Sequence, residues 1–375
     1  MSNQCEQIRQ EYRGLKALKQ EFDLAYTEAA VTRDLAKTKE LKAELEQKIE
    51  ALKNKVWPFE ALPRKELKEQ YEKAVSGYHE FGWLKTLTSG QEGIIGENEQ
   101  EYPVPSFREI QKALLANQEF FAEKFAVMEN PRIHLTPFAL SPRAMADGYG
   151  RQIENHFVEE KVEAGTRIPD RGKTKLFGVD GQPLELGANK QNVFFSDSLD
   201  NLSYFPKWQE KVGQFGNRSV EASGGLTKEE AITKLGGWQV VIIEDIPLAP
   251  IKGQGKTMEK EIKIKGKTKK VKRTQVAGDP NVIKQYELLK RQNETGLTPE
   301  DWLSFAMLHL KEKNIVSDDD QGTNYYCCLP GAVTAMGYAP YAGWCRRHGR
   351  QAYLDDTRDP GISSGRVVRG AVRVL

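Results

Sequence analysis

A long amphipathic stretch without proline is the feature that most limits how this chain can fold. Residues 6–57 contain a single glycine, Gly14, and their apolar residues recur at steps of three and four, the spacing of one face of an α-helix. The apolar stripe is narrow, and the segment "KTKELKAELEQKIEALKNK" places opposite charges four residues apart. We predict that residues 1–57 form either a helical coiled coil, through which the chain would assemble as a homo-oligomer, or a helical hairpin with a break near Asp34.

A small helical module is predicted for residues 58–129. Trp57-Pro58 ends the first stretch, because proline cannot continue a helix and forces the preceding residue out of the α region. Ser106 and Glu109 have the spacing of a capping box and begin one further helix, "SFREIQKALLANQEFFAEKFAVM". No motif assigns this module a function.

Residues 130–375 differ from the helical segments before them in the pattern of their residues, which predicts an α+β domain. Short apolar runs, such as the strand from Val240 to Ile243, alternate with many turns. Two helices begin at Ser141 and Thr298, each followed by a proline at its first helical position. Few long strands and many turns favour a small twisted antiparallel sheet covered by helices.

Length and composition exclude several classes of protein. The 375 residues suffice for two or three domains, and the net charge of +2 argues against a surface that binds polyanions throughout. No apolar run approaches the roughly 18 residues of a membrane-spanning helix, and the first residues lack the apolar segment of a signal peptide. We expect a cytoplasmic protein, or one carried in a phage particle, with no membrane partner.

Motifs of the common catalytic and metal sites are missing from the sequence. The five histidines do not stand at metal-ligand spacing, so we expect neither a metal nor another cofactor, and we expect His309 to lie at the edge of the core. The remaining candidate is a thiol site in which Cys327 or Cys328 joins Cys345 beside His348. Neighbouring strand residues point to opposite faces, so only one of the first two cysteines can take part.

Residues 252–273 form a basic insertion, with ten basic residues against Glu259 and Glu261. Lysines alternate with apolar residues on both sides of "KGKTK", which predicts a two-stranded hairpin that protrudes from its neighbours. Such a hairpin is either a solvated element protected by its charges or a nucleic-acid contact. No aromatic residue stands between the lysines, so nucleic acid is the secondary alternative.

The last part of the chain lacks two residue types that are common before it. From Ile315 to Leu375 there is no lysine and no glutamate, and the segments "LPGA", "GYAPYAGW" and "GAVRVL" form a skeleton of small and aromatic residues. Polar side chains stand between these segments without a period. Arginine, tyrosine and tryptophan supply contact area at low entropic cost, so the region suits recognition of a ligand.

The ending "WCRRHGRQAYLDDTRDPGISSGRVVRGAVRVL" resembles the variable region of diversity-generating retroelement target proteins from bacteria and phages. The resemblance covers about residues 190–375. It implies a C-type lectin fold of the formylglycine-generating-enzyme type for residues 130–375, with a variable region at 325–375. In that fold a core tryptophan, here Trp344, and a closing strand, here Gly365–Val374, frame a face that binds a protein or a glycan.

The resemblance also implies a reason for the missing lysines. These retroelements copy a template RNA with errors at adenine, and both lysine codons begin with adenine, so errors there can create stop codons. The missing glutamates are not explained in this way, because a glutamate codon cannot become a stop codon through changes at adenine.

Residues of two kinds are predicted within the variable region. Those expected to face a ligand are Tyr325, Cys327, Cys345, Arg347, His348, Tyr353, Asp355, Thr357 and Ser363. Those expected to be structural are Trp344, Gly365, Arg366, Arg369 and Arg373, the arginines pairing with Asp355, Asp356 or Asp359 or with backbone carbonyls.

Two alternative functions stay open. On the same fold, the cysteines would serve an enzyme of the sulfatase-modifying kind. The basic hairpin would instead serve a structural protein that binds nucleic acid. The leading hypothesis is a ligand-binding protein and not an enzyme.

Overall fold

The structure is a computed structural model that describes most of the chain. The described residues are 3–32, 35–161, 167–174, 176–186, 192–207, 224–246, 248–250, 254–264, 267–277, 282–320, 326–346, 350–356 and 366–374. None of the helices in these ranges is both long enough and apolar enough to cross a membrane.

Helices and strands alternate over the described ranges, which confirms the predicted α+β class. The helices are α1 Asn3–Thr32, α2 Ala36–Lys55, α3 Arg64–Glu80, α4 Phe107–Ala116, α5 Gln118–Val127, α6 Pro142–Glu154, α7 Lys228–Leu235, α8 Val282–Arg291 and α9 Pro299–Lys313, with a 3-10 turn at Asp197–Asp200. The strands are β1 Lys85–Thr86, β2 Glu92–Ile95, β3 Glu101–Pro103, β4 Pro131–Thr136, β5 Phe157–Lys161, β6 Arg167–Thr174, β7 Val193–Phe195, β8 Leu202–Tyr204, β9 Gln239–Glu244, β10 Thr257–Ile264, β11 Lys267–Thr274, β12 Thr295–Gly296, β13 Tyr326–Cys328, β14 Ala332–Thr334, β15 Pro340–Cys345, β16 Gln351–Asp356, β17 Arg366–Val368 and β18 Gly370–Arg373.

The chain divides into two compact units, Met1–Lys68 and Glu69–Leu375. In the first unit, α1 and α2 pair as an antiparallel hairpin around Leu18, Ala25 and Leu41. The long amphipathic stretch is therefore two helices, one ending at Thr32 and the next beginning at Ala36, on either side of the predicted break. Self-association through these helices stays a prediction, as do the domain boundaries at 57 and 129.

Two main sheets organise the second unit. One has four antiparallel strands in the order β12-β18-β9-β4. The other has five strands in the order β17-β13-β15-β16-β7, and its two outer strands, β17 and β7, run parallel to their neighbours. The four-stranded sheet is small and antiparallel, in line with the prediction, whereas the five-stranded sheet is mixed, because both of its outer strands are supplied by chain segments that return to the sheet from a distance.

Helix α9 lies at the centre of this unit and packs against α6, β4 and β15. The predicted start is confirmed: Thr298 caps the helix, Pro299 is its first residue, and Asp301 completes a capping box. All residues from Pro299 to Leu310 are buried, since the helix has structure on every side. His309 is buried with them, 1% exposed, with its Nδ1 3.6 Å from the carboxylate of Asp245.

The closing segment differs from the single strand predicted at Gly365–Val374. It is divided between β17 in the five-stranded sheet and β18 in the four-stranded sheet, and Arg369 lies at the crossing. A Cβ at Gly370 would lie 2.3 Å from Oε2 of Glu294, so the strand after the crossing begins with a residue that has no side chain. The alternating valines could not indicate this break, because both halves are buried.

The basic segment forms the predicted hairpin, with β10 paired to β11, but it does not protrude. Met258, Ile262 and Val271 pack on Ala126 and Val127 of α5. At its base Arg273, 2% exposed, is held by the carboxylates of Glu244 and Glu294 at 2.7 and 2.8 Å. The hairpin is therefore anchored to the core of the second unit.

The helix predicted over residues 106–128 begins as expected, with a capping box between Ser106 and Glu109. It is interrupted at Asn117, which has φ −119° and ψ 40°, and it continues as α5. Non-helical dihedrals at one residue suffice to break the helix into two.

Candidate functional site

Aromatic side chains from four strands cluster on one face of the five-stranded sheet. Alternate residues of a strand share a face, and the register places Tyr353 beside Gly343 on one side and Phe194 on the other. Glycine at position 343 leaves room between the rings of neighbouring strands. We call this surface the tyrosine face, and it consists of Phe194, Tyr326, Tyr341, Tyr353 and Asp355.

The rings of the tyrosine face contact one another in sequence. Phe194 and Tyr353 stack with centroids 4.6 Å apart at 15°, and Tyr341 lies 5.7 Å from Tyr353 and 5.0 Å from Tyr326. Tyr326 and Tyr341 are buried, whereas Phe194 and Tyr353 are partly exposed. The inner pair therefore supports an outer pair that is open to solvent.

Asp355 is the charged group of this face. Its Oδ2 accepts hydrogen bonds from the hydroxyls of Tyr341 and Tyr353 at 3.1 and 2.9 Å, and its Oδ1 accepts one from the backbone N–H of Asp356 at 2.8 Å. The side chain is partly exposed, and within the described part of the chain it has no ion pair. A carboxylate held in place by two tyrosines is thus available to a ligand.

Burial and the nearby Asp355 raise the pKa of Tyr353 to about 12. The same two causes raise the pKa of Tyr341 well above its usual value. Both phenols therefore stay protonated near neutral pH and donate to the carboxylate, which keeps the face in one arrangement.

Three consecutive aspartates behind the tyrosine face fix the surrounding strands. Asp318 accepts hydrogen bonds from the indole of Trp302 at 3.0 Å and from the guanidinium of Arg369 at 2.8 and 3.1 Å. Asp319 accepts from Nε of Arg346 at 2.6 Å, and the same guanidinium binds Asp180 in a bidentate pair at 2.9 and 3.0 Å. Such paired contacts are rigid, so the end of β15 is held in place.

Position 178 shows how closely this arrangement is packed. A Cβ at Gly178 would lie 2.1 Å from Nη2 of Arg346 and 2.4 Å from Oδ2 of Asp319. Only glycine fits there without moving the ion pair.

The predicted ligand-facing residues divide into three groups. Tyr353 and Asp355 lie together on the tyrosine face, and Cys345 lies on the same face but is buried, with its Sγ 4.0 Å from the Tyr326 hydroxyl. Cys327 is 0% exposed and points to the opposite, core side of β13, so its predicted role is corrected. Outside the described residues lie Tyr325, Arg347, His348, Thr357 and Ser363, and Gly365, which was predicted to be structural, lies outside them as well.

The predicted structural residues have some of the expected partners, since Arg369 donates to backbone carbonyls as predicted. Trp344 is buried in the core, 1% exposed. Arg369 pairs with Asp318 and donates to the carbonyls of Glu244 and Ile246 at 3.3 and 2.7 Å, and Arg373 pairs with Asp301 at 2.7 Å. The carboxylates that bind these two arginines among the described residues are therefore Asp318 and Asp301 and not Asp355 or Asp356, and Asp359 lies outside the described residues. Arg366 belongs to β17, but its side chain lies outside the described part.

All three cysteines of the C-terminal region are buried free thiols. Burial and the carboxylate of Asp318 raise the pKa of Cys327, which disfavours the thiolate. Cys328 packs among apolar residues, including Val333 and Val368. The geometry gives no exposed, activated thiol in the described ranges.

The charges of the basic hairpin are partly balanced on its outer face, where two glutamates stand among three lysines. The pairing places Glu259 opposite Lys272 and Glu261 opposite Lys270, and Lys270 binds Glu259. On the inner side, Lys269 binds Glu123 of α5 at 2.6 Å. Local carboxylates therefore neutralise much of the charge that suggested a nucleic-acid contact.

Sequence analysis missed Phe194, Tyr326 and Tyr341, as well as the three aspartates. Alternation in "YYCC" shows that Tyr326 and Cys327 take opposite faces, but it does not show which face meets the core. That depends on the pairing of β13 with β15 and β17, which is not a local property.

Comparisons of the chain with protein-family models, with curated proteins and with solved structures find no match.

Proposed function

We propose that this chain is a ligand-binding protein whose C-terminal surface is varied by a diversity-generating retroelement, on a C-type-lectin-type fold. The tyrosine face binds a protein or a glycan, and side chains at its exposed positions change from copy to copy. The N-terminal helices assemble several chains, so that weak individual sites act together.

One observation supports this proposal most directly. The segment that resembles a variable region supplies four of the five strands of one sheet, and that sheet carries the tyrosine face. Phe194, Tyr353 and Asp355 on this face are aromatic or charged and partly exposed, whereas Cys327, Ala342 and Leu354 on the opposite side are buried core. This separation suits a scaffold that tolerates changes on one side, and a preorganised scaffold lowers the ordering cost of binding.

The two alternatives have weaker support. An enzyme of the sulfatase-modifying kind needs a reactive thiol, whereas Cys327, Cys328 and Cys345 are all buried. A nucleic-acid-binding role needs unpaired basic groups along the hairpin, whereas Lys269 and Lys270 already bind carboxylates.

A display library tests whether the face tolerates variation. The codons of Phe194, Tyr353 and Asp355 are randomised in the full chain, and the displayed clones are sorted for resistance to protease. The proposal predicts that most clones stay folded, because these side chains are partly exposed, and that selection against an unrelated protein target yields binders.

A matched library randomises Cys327, Ala342 and Leu354, which lie on the core side of the same strands and are each 0% exposed. Most of these clones should lose protease resistance. Equal losses in the two libraries, or no binders from the first, would count against the proposed function.

A further inference from the structure

The tyrosine face uses its own hydrogen-bond donors and leaves acceptors for a ligand. The hydroxyls of Tyr341 and Tyr353 both donate to Oδ2 of Asp355, at 3.1 and 2.9 Å. The hydroxyl of Tyr326 is directed at Sγ of Cys345, 4.0 Å away. A phenol has one proton to donate, so all three hydroxyls are used within the face. Among the described side chains of the face, a ligand therefore meets the lone pairs of the carboxylate and of the hydroxyls.

The surroundings of the three phenols are acidic. Burial, the thiol of Cys345 and the carboxylate of Asp320 raise the pKa of Tyr326. Burial and the carboxylate of Asp355 raise the pKa values of the other two phenols. Carboxylates that act on all three rings make this side of the sheet a place where a positive charge is favoured.

Two aromatic rings beside Asp355 are open to a ligand. Phe194 and Tyr353 are both partly exposed. Phe194 belongs to β7, the last strand of the sheet, so one side of its ring stacks on Tyr353 and the other side has no aromatic partner among the described residues. The face of an aromatic ring is negative and attracts a flat cation.

These properties together match a guanidinium group. A guanidinium group brings a positive charge, five N–H donors and no acceptor, and its plane stacks on aromatic rings. A carboxylate binds it through two parallel hydrogen bonds. A sugar ring also stacks on aromatic rings, but its hydroxyls need donors as well as acceptors, and the described part of this face has used its donors.

We propose that the tyrosine face of this chain binds an arginine side chain of a protein partner, with Asp355 as the anchor of the guanidinium group. The plane of the group lies against the exposed rings of Phe194 and Tyr353. This proposal rests on the proposed function, because it takes the tyrosine face as the ligand site, and it adds the class of partner. The preference for arginine belongs to this sequence, since other copies carry other side chains at these positions.

Ligand-detected NMR on the full chain tests the class of ligand with three small probes. N-acetylarginine amide carries the guanidinium group, N-acetylcitrulline amide replaces it with a neutral urea of similar shape, and methyl α-mannoside represents a glycan. The arginine probe should bind with a Kd below about 10 mM and at least about fivefold more tightly than the citrulline probe, because only the arginine probe is charged. Equal affinities for these two probes, tighter binding of the mannoside, or no binding of the arginine probe at about 10 mM would overturn the proposal.

Asp355→Asn tests the anchor, and Asp147→Asn, at an exposed position of α6, is the matched control. D355N removes the negative charge and keeps a side chain of nearly the same size, so it should weaken binding of the arginine probe at least about fivefold. D147N should leave the affinity unchanged. Binding to D355N with the wild-type affinity would contradict the role of Asp355.

Phe194→Ala is a second test that leaves the carboxylate and its hydrogen bonds in place. Its matched control is Phe195→Ala, because Phe195 lies on the opposite side of β7, where its ring is 4.8 Å from the guanidinium carbon of Arg143. F194A should weaken binding of the arginine probe about two- to fivefold, and F195A should not. Wild-type affinity in F194A would count against the proposal even if D355N did not fold.

The arginine site and the proposed function can fail separately. If the arginine probe does not bind but the display library yields binders, the arginine site is rejected and the proposed function stands. If the arginine probe binds the wild type and not D355N, while the display library yields no binders, the arginine site stands and the proposed function is rejected.

Discussion

Arg369 is a charged residue at the point where the chain passes from the five-stranded to the four-stranded sheet. It is 3% exposed, and its guanidinium binds the carboxylate of Asp318 and two backbone carbonyls. Asp318 also accepts from Trp302 of the central helix, so one ion pair joins both sheets to α9. Removing one member of such a pair leaves the other buried without a counter-charge.

Replacing Arg369 with alanine should therefore lower the free energy of unfolding by about 3–5 kcal/mol, as measured by urea denaturation of the full chain. Arg369→Lys should recover only part of the loss, because an ammonium group cannot form the bidentate contact. The control is Arg350→Ala, since Arg350 pairs with Glu185 at the surface and its loss should change stability by less than about 0.5 kcal/mol. Similar effects from R369A and R350A would show that the buried pair does not join the sheets.

His134 makes stability depend on pH. Its ring is 1% exposed and shares a 2.7 Å hydrogen bond with Ser304, and burial, followed by the charge of Arg132, lowers its pKa from 6.5 to about 3. The folded chain keeps this histidine neutral, whereas the unfolded chain binds a proton below about pH 6.5. The part of the free energy of unfolding that depends on this histidine is fully present above pH 6.5 and is lost as the pH falls towards 3.

Wild type should lose about 1.4 kcal/mol per pH unit more than His134→Gln between pH 6 and about pH 4, measured by urea unfolding at several pH values. Glutamine removes the titrating group and keeps a polar side chain beside Ser304. If the free energy of unfolding changes with pH equally in H134Q and the wild type, His134 is not the source of the pH dependence.

Cys327 and Cys328 show which property of a strand cannot be predicted from its own sequence. Alternation correctly predicts that Cys327 and Cys328 take opposite faces, but the predicted position of Cys327 on the ligand side is wrong. Which side meets the core is decided by strand partners distant in the sequence, and no local pattern contains that information.

For helices and strands, the sequence predicts where an element begins, but it does not predict which other element it packs against. Capping boxes and N1 prolines mark the starts of α4 and α9 correctly, because the capping contacts lie within four residues of each other. The closing strand and the position of the basic hairpin were wrong, because both depend on long-range packing. The high lysine content predicts a hairpin that protrudes into solvent. Met258, Ile262 and Val271 instead pack its inner face on α5.

Val271 provides a test of that packing. Val271→Ala should lower the free energy of unfolding by about 1–3 kcal/mol, because it removes buried methyl groups between the hairpin and α5. Lys270→Ala, one residue away on the outer face, should change it by less than about 0.5 kcal/mol. If both variants unfold like the wild type in urea, the hairpin is not part of the cooperative core.

In the molecule as a whole, the residues that hold the sheets together and the residues proposed to vary occupy different places. The aspartates at 318–320 and the buried helix α9 hold the sheets, and they lie before the predicted variable region at 325–375. The tyrosine face lies on the other side of the strands that they fix. Its exposed members could therefore change while the supporting contacts stay the same.

The most direct test of this account is to sequence the DNA around the gene, together with several independent copies of it. We predict a reverse transcriptase gene and a near-copy of the 3′ coding segment that differs at adenines. The substitutions should fall on outward positions such as Tyr353 and Asp355, while the codons of Cys327, Ala342 and Leu354 stay constant. An intact locus with neither element, or substitutions spread equally over both faces of the strands, would contradict the proposed diversification.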